Sequence, residues 1–219
     1  MGQGMRRATR PTLVIGHRGF AARFPDNSLA GVLAALAAGA DGVEVDVRPS
    51  ADGSWVCHHD RARAGRPVRE WRDGELAREG VPSLAAVAAA VPADRCLVVE
   101  VKPLPENELQ AGAQALAGIL HPRLVATRVI SSSPVVLRTV GQALPGVALS
   151  LVCDSLPERL PEGVTLSPFH RLVEALLPLG VALHPWTVNR PGRMRELARL
   201  GVASITTNDP PVALEVLGG

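Results

Sequence analysis

The sequence has few of the features that mark nucleic-acid-binding or membrane-spanning proteins. It has no tyrosine, only 3% of its residues are aromatic, and its formal net charge at pH 7 is +2. An aromatic stacking platform and a basic surface, two common features of nucleic-acid binding, are therefore not expected. No apolar run approaches the roughly 18 to 20 residues that a membrane-spanning helix needs. We expect neither a nucleic-acid partner nor stable insertion into a membrane.

Cysteine is also scarce, and the three cysteines are Cys57, Cys96 and Cys153. Their odd number and wide spacing suit neither a disulfide framework nor a zinc site, so we expect small, buried, apolar side chains. The apolar residues 13–15 are too short a run for the hydrophobic region of a signal peptide. We therefore expect a cytoplasmic protein whose residues 1–11 form a flexible N-terminal segment.

Apolar residues are abundant, at 47% of the 219 residues, which is enough for one domain with a substantial core. Along residues 12–219, short β-branched stretches alternate with alanine- and leucine-rich stretches eight times. Alternation of strand and helix predicts a parallel sheet, and eight repeats predict an α/β fold of the closed (β/α)₈ TIM-barrel type. A doubly wound open sheet is the alternative, but its Gly-rich phosphate turn is missing after the first strand.

Some predicted elements bear on how the barrel closes. A brief helix is expected after the strand that ends near residue 151, a longer helix over residues 171–179, and a strand over residues 181–187. Residues 55–57 are a short extended piece, and residues 61–80 are polar, rich in arginine and punctuated by glycine. We expect them to form a short excursion over the surface, with one helical turn near residues 75–78.

Two carboxylates interrupt a valine-rich stretch, residues 42–47. Side chains alternate between the faces of a strand, so Glu44 and Asp46 share one face. Buried carboxylates are unfavourable without a compensating cation, and a divalent metal ion is one such cation. Glu100 and Lys102, the only lysine in the chain, repeat this spacing on the next strand. Solvent or arginines at the strand ends are the alternative partners.

Further polar residues follow the predicted strands at their carboxyl ends, where TIM-barrel active sites lie. Carboxylates supply oxygen ligands for Mg²⁺ or Ca²⁺, cationic side chains bind phosphate, and two histidines supply an acid and a base. Together these groups favour phosphodiester cleavage. The candidate residues are His17, Arg18, Glu44, Asp46, His59, Glu100, Lys102 and Trp186.

The sequence resembles the glycerophosphodiester phosphodiesterase family in segments that run nearly from end to end. Each segment alone is common, but the set in this order and spacing is highly specific. The segments are His17-Arg18-Gly19, Phe24-Pro25-Asp26-Asn27-Ser28, residues 42–47, His59-Asp60, Val81-Pro82-Ser83-Leu84, Glu100-Val101-Lys102, Trp186-Thr187-Val188-Asn189 and residues 201–210.

The resemblance implies a TIM barrel that hydrolyses glycerophosphodiesters to sn-glycerol 3-phosphate and an alcohol, with one divalent metal ion, Mg²⁺ or Ca²⁺. It implies a specific role for each candidate residue. The implied metal ligands are Glu44, Asp46 and Glu100, the acid/base pair is His17 and His59, the phosphate-binding residues are Arg18 and Lys102, and Trp186 lines the glycerol pocket.

The sequence departs from the family pattern in three places. Asp26 stands where glutamate is usual, which shortens a side chain in a loop. The segment after Asp60 lacks the usual arginine-threonine pattern and is compact. Ala203 and Ser204 stand where aspartate and glycine are common, and only a structural effect is expected there.

Other interpretations remain open for single residues. Arg18 is alternatively an ion-pair partner of the strand carboxylates, Lys102 a structural partner of Glu100, and Trp186 a filler of the barrel. The other histidines are expected outside the site: His58, His121, His170 and His184. For the function, the alternatives are a lysophospholipase D-type phosphodiesterase and a barrel that binds phosphorylated ligands without turnover.

Overall fold

The computed structural model describes residues 12–218, and the predicted N-terminal segment, residues 1–11, lies outside the described residues. The strands are β1 Leu13–Gly16, β2 Gly42–Pro49, β3 Trp55–Cys57, β4 Ala62–Arg63, β5 Arg66–Pro67, β6 Cys96–Val101, β7 Thr127–Ser131, β8 Ala148–Cys153, β9 Val164–Pro168 and β10 Ser204–Thr207. The α-helices are α1 Leu29–Ala37, α2 Asp73–Arg78, α3 Leu84–Ala90, α4 Glu106–Leu120, α5 Pro134–Ala143, α6 Val173–Leu176, α7 Pro191–Arg199 and α8 Pro210–Gly218. Short 3₁₀ turns cover Val68–Glu70, His121–Ala126, His170–Leu172 and Leu177–Leu179.

Seven parallel strands form a curved sheet in the order β10-β1-β2-β6-β7-β8-β9, and β3 pairs antiparallel with β2. The gap between β9 and β10 is filled by residues 183–188. This segment forms parallel bridges to β9 at Leu166 and just beyond it at Phe169, and the Val188 amide donates a hydrogen bond to the Thr206 carbonyl at 2.8 Å. The predicted (β/α)₈ barrel is confirmed.

The strand predicted over residues 181–187 is therefore wrong in detail, because this segment pairs only at isolated bridges. Pro185 lies in its middle. Proline has no amide hydrogen and a fixed φ, so it interrupts a regular ladder. The segment still occupies the place of the eighth strand, since the Pro185 carbonyl accepts a hydrogen bond from the Thr206 amide at 2.9 Å.

Two helix predictions in the second half of the chain also need correction. No helix forms over residues 154–163, where Pro157 and Pro161 remove amide donors within five residues. The helix expected over residues 171–179 is reduced to the single turn α6 between two 3₁₀ turns. Its continuation is blocked because Pro178 cannot donate to the carbonyl four residues earlier.

The first half of the chain follows its prediction closely. Ser28 begins α1 by accepting a hydrogen bond from the Gly31 amide at 3.1 Å, and Ser83 begins α3 in the same way. The excursion contains the β4–β5 hairpin and α2, and it packs on a small apolar cluster of its own. That cluster is Val56, Val68, Leu76 and Val81.

The main apolar core lies between the sheet and the surrounding helices, whereas the interior of the barrel has only a small apolar cluster. All three cysteines are free, and Cys57 is buried. Within residues 12–218, no helix has both the length and the apolar composition needed to cross a membrane.

Candidate active site

Three carboxylates meet at the carboxyl ends of β2 and β6. Asp46 is paired in register with Glu100 across the two strands, and Glu44 lies on the same face two residues before Asp46. One oxygen of each lies within 4.8 Å of the others, and the Glu44 and Asp46 residues are only 2% and 1% exposed. Glu44 Oε1 is buried without a hydrogen-bond partner in residues 12–218. Hard oxygen donors with a free buried lone pair fit a divalent cation such as Mg²⁺ or Ca²⁺.

Burial and mutual repulsion shift the pKa values of the three carboxyl groups in this cluster. Burial, together with the charges of Asp46 and Glu100, raises the pKa of Glu44 well above its usual value. Burial also raises the pKa of Glu100, although Lys102 partly offsets this effect. For Asp46 burial acts in the same direction, but Lys102, Asn27 and Arg18 together outweigh it and lower the pKa. Glu44 and Glu100 are therefore less fully compensated than Asp46, and a bound divalent cation would add positive charge beside them.

Lys102 is the cation that the cluster already contains. Its Nζ lies 2.5 Å from Asp46 Oδ1 and 2.5 Å from Glu100 Oε1, and the residue is buried. In this state Lys102 is a partner of the carboxylates, as its structural interpretation requires. Its side chain also lines the catalytic cavity described below, which the phosphate-binding interpretation requires.

The loop between β1 and α1 supports the carboxylates from one side. Arg18 and Asn27 both have positive φ, at 50° and 59°, and the Asn27 amide donates to the Arg18 carbonyl at 3.0 Å. The Arg18 amide donates to Glu44 Oε2 at 3.0 Å. The Asn27 side chain donates to Asp46 Oδ2 at 3.0 Å and accepts from the Asp46 amide at 2.9 Å. These bonds fix the orientation of two carboxylates from the predicted metal site.

The Arg18 guanidinium bridges two acidic residues. Its Nε lies 3.1 Å from Asp46 Oδ2, and its Nη1 donates to Asp26 Oδ2 at 2.6 Å. The shorter aspartate at position 26 therefore still reaches the arginine. Nε has no hydrogen bond of good geometry in the described part of the chain, so the contact with Asp46 is electrostatic. The arrangement is consistent with the ion-pair interpretation of Arg18 and leaves donors for a phosphate.

His17 projects from the end of β1 into the site with one ring nitrogen fixed. Its Nδ1 lies 2.6 Å from Asn208 Oδ1, an oxygen that can only accept, so Nδ1 carries the hydrogen. Nε2 is then left as the basic nitrogen, 4.0 Å from Glu44 Oε2. Burial lowers the pKa of His17, although the hydrogen bond with Asn208 opposes this effect. His17 is therefore neutral at pH 7, with Nε2 available to accept a proton.

His59 is oriented in a similar way by a neighbouring carboxylate. Its Nδ1 lies 2.8 Å from Asp60 Oδ1, and the backbone carbonyl of His59 accepts a hydrogen bond from Arg48 Nε at 2.9 Å. The hydrogen bond from His59 lowers the pKa of Asp60. The side chain of His59 is 43% exposed, so it lies at the mouth of the barrel. Both candidate histidines thus have Nδ1 occupied and Nε2 free.

A cavity of about 230 Å³ joins these groups. Trp186 lies on its wall, donates a hydrogen bond to the Ser167 carbonyl at 2.7 Å, and packs edge-on against Phe169. Asp46 does not line the cavity, because it is covered by Asn27 and Lys102. The predicted residues that line it are His17, Arg18, Glu44, His59, Glu100, Lys102 and Trp186.

Of the four histidines predicted to lie outside the site, only His184 lines the cavity. It is buried, with Nδ1 at 2.8 Å from Ser204 Oγ, and burial together with the charge of Arg128 lowers its pKa to about 3. His58 contacts the Ala62 carbonyl in the excursion. His170 lines a separate surface depression and His121 is exposed.

Several residues at the site were missed by the sequence prediction. Asn27 lies in one of the segments that resemble the family, where the sequence pattern predicts only a loop. Asp60 follows His59 directly, so their adjacency was the available signal. Asn208 lies 191 residues from His17, and no local pattern links the two. Arg128 lines the cavity from β7 and resembled an ordinary residue at a strand start.

Comparison with known proteins identifies the family. The sequence profile of the glycerophosphoryl diester phosphodiesterase family matches residues 17–114 and 119–212. The chain belongs to this family. The predicted class of enzyme, a phosphoric diester hydrolase, is thereby confirmed. A glycerophosphodiester phosphodiesterase of Caldanaerobacter subterraneus subsp. tengcongensis is 30% identical over 244 residues, which covers 94% of this chain and 98% of that protein.

Solved structures of the family share the fold over almost their whole length. A glycerophosphodiester phosphodiesterase from Parabacteroides distasonis is 25% identical with a TM-score of 0.83, covering 95% of this chain and 97% of that one. A phosphodiesterase from Oleispira antarctica, solved with its product sn-glycerol-3-phosphate, is 20% identical with a TM-score of 0.84. That comparison covers 95% of this chain and 98% of the other.

Proposed function

We propose that this enzyme hydrolyses glycerophosphodiesters to sn-glycerol 3-phosphate and an alcohol, with a divalent metal ion and two catalytic histidines. The observation that carries the proposal is the arrangement of His17 and His59 beside the carboxylate cluster. Each ring has Nδ1 bound to a side-chain oxygen, so each presents Nε2 for proton transfer. A barrel that only binds phosphorylated ligands has no need of two oriented imidazoles.

The carboxylates Glu44, Asp46 and Glu100 are the proposed ligands of the metal ion, either Mg²⁺ or Ca²⁺. The proposal is supported by their convergence within 4.8 Å and by the unpartnered oxygen of Glu44. When bound, such an ion neutralises developing charge on phosphoryl oxygens. Arg18 and Lys102 add positive charge at the same place, the first as a planar donor and the second as a point charge.

The two histidines are proposed to transfer protons on opposite sides of the reacting phosphorus, one at the attacking oxygen and one at the leaving oxygen. His17 is neutral because burial lowers its pKa, so its Nε2 accepts the proton of the attacking oxygen. His59, at the mouth of the barrel and held by Asp60, donates a proton to the oxygen of the departing alcohol. Trp186 provides an apolar wall for the carbon skeleton of the glycerol.

The substrate class is supported by the relatives. The Caldanaerobacter relative is a glycerophosphodiester phosphodiesterase, and the Oleispira structure contains sn-glycerol-3-phosphate. The cavity of about 230 Å³ suits a glycerol phosphate, and its opening beside His59 leaves the alcohol group towards solvent. No observation in residues 12–218 favours an acyl chain at the cavity mouth, so the deacylated diesters are the preferred substrates.

The test is an assay of purified protein with glycerophosphocholine, glycerophosphoethanolamine and a lysophospholipid. Each substrate is incubated with Mg²⁺, with Ca²⁺ and with EDTA, and released sn-glycerol 3-phosphate and free choline are measured. We expect sn-glycerol 3-phosphate from the two deacylated diesters, lost in EDTA and restored by metal. Turnover of the lysophospholipid alone would indicate a lysophospholipase D-type enzyme. No turnover with any metal would contradict the proposed activity.

A further inference from the structure

A second cavity, of about 490 Å³, is lined in part by residues that follow the catalytic carboxylates of β2 and β6 along the chain. Arg48, Arg61 and Arg69 line it, and Glu108 is the single acidic residue on its wall. None of the three arginines has a carboxylate within 4.0 Å in the described part of the chain, whereas Arg63 and Arg66 nearby are both paired. The cavity is therefore a concave surface with an excess of uncompensated positive charge.

Arg48 connects the second cavity to the catalytic groups. It follows Asp46 by two residues on β2, and its Nε donates to the His59 carbonyl at 2.9 Å. Its side chain therefore lies close to a catalytic histidine and also lines the second cavity. An anion in the second cavity would lie beside the catalytic groups.

The walls of the second cavity are rigid. Four prolines contribute to them: Pro49, Pro67, Pro103 and Pro105. Each proline has a fixed φ, so the backbone around the cavity needs little ordering when a ligand binds. Rigid walls of this kind favour binding because less conformational entropy is lost.

The second cavity lies across the barrel from Trp186. Strands β2 and β6 stand second and third in the barrel when β1 is first, and the segment that carries Trp186 stands seventh, between β9 and β10. In the proposed function Trp186 contacts the glycerol. The alcohol on the other side of the scissile phosphate then points towards Arg48 and the second cavity.

We propose that this cavity binds an anionic substituent, a phosphate or a carboxylate, on the alcohol of the substrate, and that Arg48, Arg61 and Arg69 select such diesters. The inference rests on the proposed function and specifies its substrate class. Guanidinium groups bind phosphate and carboxylate by paired hydrogen bonds, which are stronger than bonds between neutral groups. A cationic alcohol such as choline gains no such contact, so its diester should be cleaved less efficiently than one with an anionic alcohol.

The test compares two substrates that differ only in charge: glycerophosphoglycerol, and the same compound with a phosphate on its terminal hydroxyl. The measured quantity is the ratio of kcat/KM for the phosphorylated substrate to kcat/KM for the unphosphorylated one. We expect this ratio to be about 10 for the wild type. In the Arg61→Ala/Arg69→Ala double variant it should fall to about 1. An unchanged ratio in that variant would overturn the inference.

A matched control distinguishes binding in the cavity from attraction by the net charge of the protein. Arg78→Ala/Arg138→Ala removes the same charge from two exposed residues, on α2 and α5, that do not line the cavity. We expect this variant to keep the wild-type ratio. An equal fall of the ratio in both double variants would mean that net charge, and not the cavity, attracts the substrate.

A binding measurement that needs no turnover tests this inference separately from the proposed function. If neither substrate is cleaved with any metal, the proposed function fails, and calorimetric titration of both compounds in EDTA still tests the cavity. The phosphorylated compound should bind the wild type about tenfold more tightly than the unphosphorylated one, and this difference should vanish in Arg61→Ala/Arg69→Ala. Equal affinities for the wild type would overturn the inference.

Discussion

The two sides of the barrel differ in both chemistry and regularity. Strands β1, β2 and β6 are adjacent and carry most of the charged groups of the site, fixed by short hydrogen bonds and ion pairs. The opposite side, from β8 to the segment 183–188, presents valine, serine, histidine, tryptophan and threonine to the cavity. One of its predicted strands and one of its predicted helices do not form as regular elements. Reaction chemistry and substrate accommodation are thus separated within one barrel.

This separation has a physical reason. Buried charges need partners at fixed distances, and regular parallel strands supply such distances through their register. A wall that only contacts substrate has no such requirement, so prolines and isolated bridges are tolerated there. The comparison predicts that substitutions on the charged side change the reaction rate, whereas those on the other side change substrate binding or stability.

The largest effect is expected on the charged side from His17→Ala. Loss of a general acid or base reduces kcat by about 10²- to 10⁴-fold, and the carboxylates remain able to bind metal. Activity is measured as release of sn-glycerol 3-phosphate, and metal affinity by calorimetry. His121→Ala, at an exposed histidine that does not line the cavity, is the control and should retain activity. Survival of full activity in His17→Ala would contradict the acid/base assignment.

The next effect concerns the loop that supports the carboxylates. Asn27→Gly removes both hydrogen bonds to Asp46 but keeps the positive φ accessible, and we expect a loss of about 10- to 100-fold in metal affinity. The dependence of kcat/KM on Mg²⁺ concentration measures it. Asn27→Ala should show the same loss plus reduced stability, because alanine is strained at φ of 59°. An unchanged metal dependence would mean that the strands alone position the carboxylates.

The charged side was also the more predictable one from sequence. Alternation of valine with Glu44 and Asp46 specifies a shared face, and parallel pairing then brings Glu100 opposite Asp46 without any loop information. The contact of His17 with Asn208 depends on closure of the whole barrel, and no short pattern encodes it. On the other side, Pro157, Pro161 and Pro185 were visible signals against regular structure.

A smaller effect is expected from Trp186, on the accommodating side. Trp186→Ala removes apolar contact with substrate, so KM should rise about tenfold while kcat changes less. If Trp186 were only a filler of the barrel, its removal would instead cost about 3 to 5 kcal/mol of stability and lower the melting temperature. Trp186→Phe keeps an aromatic ring but loses the hydrogen bond to Ser167. Its KM should lie between that of the wild type and that of Trp186→Ala. Steady-state kinetics and thermal unfolding together separate these outcomes.

The last effect appears only in acid and concerns stability. Burial holds His184 neutral, with a pKa of about 3 against 6.5 in the unfolded chain. The unfolded state therefore binds the proton first, and this contribution to stability is present above pH 6.5 and is lost as the pH falls towards 3. Between pH 7 and 5 the loss of stability amounts to about 2 kcal/mol.

Urea unfolding at pH 7 and at pH 5 measures this loss. The free energy of unfolding should fall between the two pH values in the wild type, and it should fall by about 2 kcal/mol less in His184→Gln. Since other titrating groups contribute equally to both proteins, an identical pH dependence would mean that His184 is protonated in the folded barrel. The neutral state assigned to His184 would then be wrong.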